Sequence, residues 1–385
     1  MSPRPAHMPA GAARRSLIAL AIAAPGLATA IALAFAWHYS DLILRPGDPP
    51  SLCERRILGV NPGHIRLARD AASLQPGTWA LEWEGGFGRV GPVLTSKGDG
   101  VAREFRPEVG EPPVGGCARL CGVARAATPL SMLGLSYESV AFTGPLGRYP
   151  AWFVPGLDST WVVYAHGRGA NRAEGLRTLG VLAARGLPGL LVTYRNDPGA
   201  PGSPDGYYHL GLTEWEDLEA AVRFALAHGA RHVVLAGYRM GGQIVMQFMS
   251  RSRLAAHVRA VVLESPVLDW NATLALRARI LRVPAPGRWL GQRTAAARAA
   301  LDWDLLDRVA HVERVKTPIL LFHGVDDTFA PEWVSEAFAR KLPAQVTLIR
   351  VQGGDHVEAW NADPVRYSSA MNSWCATHGL GRDAR

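Results

Sequence analysis

Six runs of aliphatic residues from residue 160 onward constrain the fold of the chain most. They are TWVVYAHG (160–167), GLLVTYRN (189–196), HVVLAGY (232–238), VRAVVLESP (258–266), PILLFHG (318–324) and VTLIRVQGG (346–354). Continuous Val, Leu and Ile are typical of strands that are buried on both faces of a parallel sheet. Segments with helical patterns separate these runs. The alternation predicts a doubly wound, mostly parallel α/β sheet with right-handed crossovers.

The clearest helical pattern covers Leu212–His228, where apolar residues at 215, 218, 222 and 225 share one face. Thr213 followed by Glu216 predicts a capping box at its start. Ahead of the first parallel strand, SYESVAFTG and RYPAWFVPG have the pattern of a hairpin. The Arg- and Ala-rich stretch 271–315 predicts a short helical insertion between the sixth and seventh strand.

Short apolar runs separated by Gly and Pro occupy the region 53–135. Trp79, Leu81 and Trp83 alternate with smaller or acidic residues, which is the period of a strand. We therefore expect a small β-rich module there. The segment RPGDPPS (45–51) before it predicts a linker, because consecutive Pro and Gly disfavour regular structure.

The segment Ser16–Trp37 contains no charged residue, and as a helix it would be about 33 Å long, enough to cross a bilayer. Three arginines precede it, so the positive-inside bias predicts a cytoplasmic N-terminus and a main domain outside the membrane. The alternative is a signal peptide cleaved after the small-residue pattern Ala34-Phe35-Ala36, which would give a secreted protein.

The net charge of +8 comes almost wholly from arginine, since the lysines are only Lys97, Lys316 and Lys341. The arginines are scattered rather than clustered, which argues against a nucleic-acid partner. Four cysteines allow up to two disulfides outside the cytoplasm, and their spacing does not choose among the three pairings. Cys117 and Cys121 lack a second pair with ligand spacing, so we expect no metal and no cofactor.

Residues that could take part in catalysis or binding follow four of the predicted parallel strands. They are His166-Gly167-Arg168-Gly169, the frame Gly237-x-x-x-Gly241 around Arg239, the pair Asp326-Asp327, and His356. Ligands bind beyond the carboxyl ends of parallel strands, so we expect these residues to meet. The order of elbow, acid and histidine, with an HG motif upstream, is the order found in α/β-hydrolases.

On these motifs the chain resembles the α/β-hydrolase superfamily, over about residues 137–373. The segments HGRGA, YRNDPGAPGSPDGYYHLG and DHVEAWNADP resemble most closely a bacterial, membrane-anchored, serine aminopeptidase-like group. The resemblance implies ester or amide hydrolysis by a Ser-His-Asp triad. It divides the chain into a cytoplasmic N-terminus 1–15, an anchor 16–37, a linker 38–52, a β-rich module 53–135 and a hydrolase domain 136–380.

The resemblance also implies roles for individual residues. Asp327, with Asp326 as the alternative, takes the place of the acid and His356 that of the base, whose imidazole a carboxylate orients. The backbone N–H groups of Met240 and Arg168 take the place of the oxyanion hole. Gly237 and Gly241 are the elbow glycines. His166 and His323 are expected to be structural.

The departure from the family pattern is Arg239, which stands where a serine is expected. A guanidinium stays charged and has no lone pair with which to attack a carbonyl. Ser265, at the end of the next strand, is the other serine considered as a nucleophile in place of residue 239. Three outcomes are open for Arg239: an ion pair with Asp327, a site for a carboxylate or phosphate, or a simple lesion in an ordinary hydrolase.

The sequence thus predicts a membrane-anchored, serine-hydrolase-type protein with impaired activity, acting on an ester or amide. The alternative is a pseudoenzyme that binds an anionic ligand or a protein partner. If Arg239 projects toward His356, its charge should lower the pKa of the imidazole, because like charges disfavour protonation.

Overall fold

The computed structural model describes residues 27, 29–47, 50–312 and 315–381. Its first element is helix α1, residues 29–44, followed by a six-stranded barrel and an eight-stranded sheet. Most of the predicted anchor 16–37 lies outside the described residues. Within the described residues no helix has the length and apolarity needed to cross a membrane. Residues 38–44, expected in the linker, are helical because Tyr39, Ile43 and Leu44 are buried against the hydrolase domain.

The β-rich module is a closed barrel with the strand order β1-β2-β5-β4-β3-β6. Its core holds Trp79, Leu81 and Trp83, the residues whose alternation predicted a strand. A disulfide joins Cys53 to Cys117, next to the point where the first and last strands pair. The strands are β1 Arg55–Asn61, β2 His64–Ala68, β3 Trp79–Trp83, β4 Gly86–Lys97, β5 Gly100–Val109 and β6 Cys117–Cys121.

The large sheet has the order β14-β13-β12-β11-β9-β10-β8-β7. The two strands that come first along the chain, β7 and β8, form the predicted antiparallel hairpin. The other six strands are parallel to one another. The mostly parallel α/β sheet is therefore confirmed. The strands are β7 Glu138–Gly144, β8 Gly147–Val154, β9 Thr160–Ala165, β10 Gly189–Val192, β11 His232–Tyr238, β12 Val258–Glu264, β13 Ile319–Gly324 and β14 Val346–Val351.

Helices cover both faces of this sheet, and two separate clusters of buried side chains lie between helices and sheet. The insertion between the sixth and seventh strands of the sheet is helical, as predicted. The helices after α1 are α2 Ala71–Leu74, α3 Pro129–Leu133, α4 Leu176–Ala184, α5 Glu214–Ala227, α6 Met240–Arg251, α7 Trp270–Ile280, α8 Ala285–Ala299, α9 Glu332–Lys341, α10 Ala359–Ala362 and α11 Pro364–Thr377.

The predicted capping box at the start of α5 is wrong. The side chain of Thr213 makes no capping hydrogen bond. Instead the buried carboxylate of Glu214 accepts hydrogen bonds from the amides of His209 and Gly211 in the preceding loop. A charged acceptor shared by several amides is the stronger arrangement, so it fixes the loop as well as the helix start.

Candidate active site

Arg239 occupies a sharp turn between β11 and α6, with φ 52° and ψ −119°. This backbone conformation is strained for any residue other than glycine. The turn brings the chain so close to its neighbours that a side chain on Gly241 would overlap the carbonyl oxygen of Ala165. A Cβ on Gly237 would lie 2.7 Å from the carbonyl oxygen of Gly241. The two glycines are therefore required by close backbone contact, and the backbone shape of an elbow is present.

His356 and Asp327 lie together beyond the ends of the last two strands. Nδ1 of His356 is 2.8 Å from Oδ2 of Asp327. An ionised carboxylate only accepts hydrogen bonds, so Nδ1 donates and Nε2 is left with its lone pair in the neutral ring. Among the described residues, Nε2 of His356 has no hydrogen-bond partner. The imidazole is thus oriented as a base with nothing to deprotonate.

The carboxylate of Asp327 is held on both sides. Its Oδ1 accepts from the amides of Phe329 and Ala330, and its Oδ2 also lies 3.2 Å from Nε2 of His323. Burial would raise the pKa of this carboxyl, but the hydrogen bonds of His323 and His356 hold it well below its ordinary value. Asp326 is exposed. The structure therefore brings Asp327, and not its neighbour, to His356.

The side chain of Arg239 forms an ion pair with Glu174, at 3.0 Å between Nε and Oε1. It does not pair with Asp327, so that possibility is wrong. Glu174 is 3% exposed and its other oxygen accepts from the amide of Gly167 at 2.6 Å. Burial would raise the pKa of Glu174, but the positive charges of Arg239 and Arg177 keep it below its ordinary value. Glu174 therefore holds a negative charge against the guanidinium.

The charge of Arg239 also acts on the histidine. Burial lowers the pKa of His356 below its ordinary value; the hydrogen bond to Asp327 opposes the shift and Arg239 adds to it. The direction agrees with the expectation drawn from the sequence. At neutral pH the site thus holds a neutral imidazole beside a guanidinium that is still 36% exposed.

Arg168 and Met240 line one cavity of about 200 Å³ together with Arg239 and His356. The rest of its wall is mostly nonpolar and includes Trp270 and Phe329. A second cavity of about 180 Å³ lies on the barrel side of Arg239 and also reaches His356. Its charged residues are Arg119, Arg125, Arg177 and Arg239, together with Glu174 and Glu358. The elbow residue therefore stands between a nonpolar and a strongly charged compartment.

The other candidate side chains are engaged elsewhere. Ser265 is buried, and its hydroxyl accepts from the amide of Val357 at 3.1 Å, so it supports the loop that carries His356. His166 lies 2.8 Å from a carboxylate oxygen of Asp197. Both nitrogens of His323 are occupied, by Ser335 at 2.7 Å and the carbonyl of Ala330 at 3.0 Å.

Sequence reasoning missed Glu174, the partner of Arg239. The available signal was an acid in the loop after the HG motif, six residues beyond Arg168. A single acid in a loop is usually solvated, and only its burial beside two arginines reveals its role.

Solved structures share the architecture of the large sheet. The Pyrococcus furiosus esterase Pf2001, in space group P21, superposes with a TM-score of 0.53 at 19% sequence identity, covering 65% of this chain and 96% of the esterase. In space group P212121 the TM-score is 0.54 at 18% identity, covering 66% and 96%. The domain has the α/β-hydrolase fold.

Residues 203–376 match the model of the prolyl oligopeptidase family, which covers less than half of the chain. Residues 56–120 match a domain of unknown function, DUF8805, and correspond to the barrel. No curated protein sequence matches the chain. The expected α/β-hydrolase fold is confirmed, and the serine aminopeptidase-like group stays a prediction.

Proposed function

We propose that this α/β-hydrolase domain has exchanged its nucleophile for a cation, and that it binds a carboxylate or phosphate group instead of cleaving esters or amides through a serine. The observation that carries the proposal is Arg239 itself. It holds the strained elbow position between Glu174 and His356 with part of its guanidinium facing two cavities.

The absence of serine turnover follows from chemistry. A guanidinium stays protonated in proteins, so a histidine cannot deprotonate it to make a nucleophile. Ser265, the remaining candidate, uses its hydroxyl to hold the amide of Val357. Loss of a triad nucleophile costs about 10⁶ in turnover, with a remnant from the oxyanion hole and binding. We expect only that remnant from the chain as it stands.

Anion binding follows from the groups around Arg239. Nε of Arg239 contacts Glu174, and the side chain, still 36% exposed, lines both cavities. The turn begins the twelve-residue helix α6, whose N-terminal amides carry a partial positive charge. Arg125 adds a second cation, and its Nη1 is tied to the carbonyl of Gly169 at 2.7 Å. A carboxylate or phosphate pairs with guanidinium groups through charge-assisted hydrogen bonds.

The first experiment restores the nucleophile. The full chain and its Arg239→Ser variant are exposed to a fluorophosphonate, which labels activated serines, and attachment is read by intact mass. We expect labelling of the variant only, and a further His356→Gln change should abolish it. Labelling of the unmodified chain would refute the proposal, because it would reveal a working nucleophile elsewhere.

The second experiment tests the anion. Thermal unfolding of the chain is followed with increasing phosphate or acetate, beside Arg239→Gln and a control variant Arg340→Gln at an exposed position. A ligand at 100 times its Kd stabilises the folded state by about 2.7 kcal/mol. We expect stabilisation in the unmodified chain and the control, and its loss in Arg239→Gln. Equal stabilisation of all three proteins would mean that the anion binds elsewhere.

A further inference from the structure

The N-terminal half of α1 projects from the surface as a helix that is apolar on every side. Residues 30–35, with the sequence AIALAF, are all exposed. Ile31 and Leu33 are each 60% exposed. A helix that is hydrophobic all round is normally buried in a protein core or in a membrane. This segment therefore requires an apolar partner that the described residues do not provide.

The helical insertion adds a second exposed apolar surface beside it. Ile280, Leu281 and Trp289, around the turn between α7 and α8, are 45%, 56% and 58% exposed. Gly287 lies so close to the ring of Phe35 that an added Cβ would be 2.9 Å from it. The start of α8 therefore lies next to Phe35, the last residue of the exposed apolar segment of α1.

The insertion is also uniformly basic. From Trp270 to Leu301 it contains no Asp or Glu and six arginines, at 277, 279, 282, 288, 293 and 298. Arg279 and Arg282 flank the exposed turn and are themselves exposed. Arg293 lies over the ring of Trp289 at 5.2 Å. One surface therefore combines exposed apolar side chains, an exposed indole and the positive charges of the exposed Arg279 and Arg282.

Arg298 fixes α1 to the insertion. Its guanidinium lies 3.9 Å from the ring centroid of Trp37 and donates to Asp41 at 2.7 Å and to the hydroxyl of Tyr207 at 2.8 Å. Tyr39 packs on α8 at Gly291, where a side chain would collide with its ring. These contacts hold α1 and α8 in a fixed relative orientation, so their exposed residues belong to one surface.

We propose that α1 and the α7–α8 turn form one lipid-contacting face that rests on an anionic bilayer. Residues 30–35 enter the apolar layer. Arg279, Arg282 and the indoles of Trp37 and Trp289 lie among the headgroups, where such side chains are enriched. The sequence ahead of this helix stays free of charge back to Ser16, which favours lipid as the occupant. A second copy of the same basic face would be repelled.

The proposed face does not depend on the chemistry of Arg239. Trp270, the first residue of α7, and Gly47, just beyond the end of α1, line the cavity that also contains Arg239 and His356. Both residues lie at the ends of their helices opposite the lipid-contacting face, about 15 Å away along α7.

The test places a fluorophore on the face of the full chain. Leu281→Cys carries an environment-sensitive probe after reconstitution into vesicles of phosphatidylglycerol and phosphatidylethanolamine. The matched control is Val365→Cys on α11, which is 80% exposed. The unmodified chain corrects for any label on Cys121. We expect a blue shift and quenching by lipids brominated near the headgroup for Leu281→Cys alone. Equal, water-like emission from both sites would overturn the proposal.

The charge is tested on the same labelled protein. Each arginine near an anionic surface contributes about fivefold to binding, so a double change Arg279→Gln and Arg282→Gln should weaken the binding of the turn to the vesicles by about 25-fold. A change at Arg340 serves as control and should have no effect. Quenching that survives the double change, or that persists in neutral phosphatidylcholine vesicles, would refute the anionic surface. A blue shift without lipid that grows with protein concentration would assign the face to a second copy.

Discussion

Replacing both members of the Glu174–Arg239 ion pair should reveal a coupling energy between them. At the observed 3.0 Å, Coulomb's law gives about 1.4 kcal/mol in water and about 5.5 kcal/mol at an effective dielectric constant of 20. Glu174 is buried but Arg239 is 36% exposed, so solvent screens the pair. We therefore expect a coupling of about 2 kcal/mol, toward the lower end of this range.

The assay is a double-mutant cycle with Glu174→Gln, Arg239→Gln and the double variant. Urea unfolding is followed by tryptophan fluorescence. The coupling energy is the difference between the change in free energy of unfolding in the double variant and the sum of the changes in the two single variants. The exposed pair Arg66–Asp99, at 2.7 Å, provides the matched cycle, for which we expect about 0–1 kcal/mol.

The Glu174→Gln variant should also change how the free energy of unfolding depends on pH. Because the pKa of Glu174 is lowered in the folded state, its contribution is present above its unfolded pKa and is lost as the pH falls through its folded value. Glu174→Gln should therefore flatten the acid limb of the stability profile. A coupling no larger than that of the exposed pair, with an unchanged acid limb, would refute the ion pair as the anchor of Arg239.

Three further predictions follow from the site and the barrel. In Arg239→Ser the pKa of His356 should rise, because a like charge is removed; NMR titration of the imidazole protons measures this, and an unchanged midpoint would place the guanidinium away from the ring. Gly241→Ala should destabilise the fold severely through backbone overlap, whereas Gly59→Ala, with open space at its Cβ, should be tolerated in thermal unfolding. Cys53→Ser opens a disulfide that spans 64 residues and should cost about 2–4 kcal/mol in urea unfolding; a loss near zero would show that strand pairing alone closes the barrel.

The sequence alone determined the parallel sheet, its helical insertion and the frame of the elbow. These features depend on local rules: continuous aliphatic runs indicate strands buried on both faces, and glycines mark close backbone contact. The meeting of Asp327 with His356 was also predictable, because both follow neighbouring parallel strands whose carboxyl ends share one edge of the sheet.

Tertiary structure decided the partners of long side chains and of distant segments. Nothing local distinguishes Glu174 from Asp327 as the counter-ion of Arg239, since a guanidinium on a long stem can reach either. The barrel closes by pairing β1 with β6, which lie about sixty residues apart, and that register depends on the whole module. Likewise α1 ends at residue 44 rather than at 37, because burial of Tyr39, Ile43 and Leu44 against the hydrolase domain outweighs the local pattern of an anchor followed by a linker.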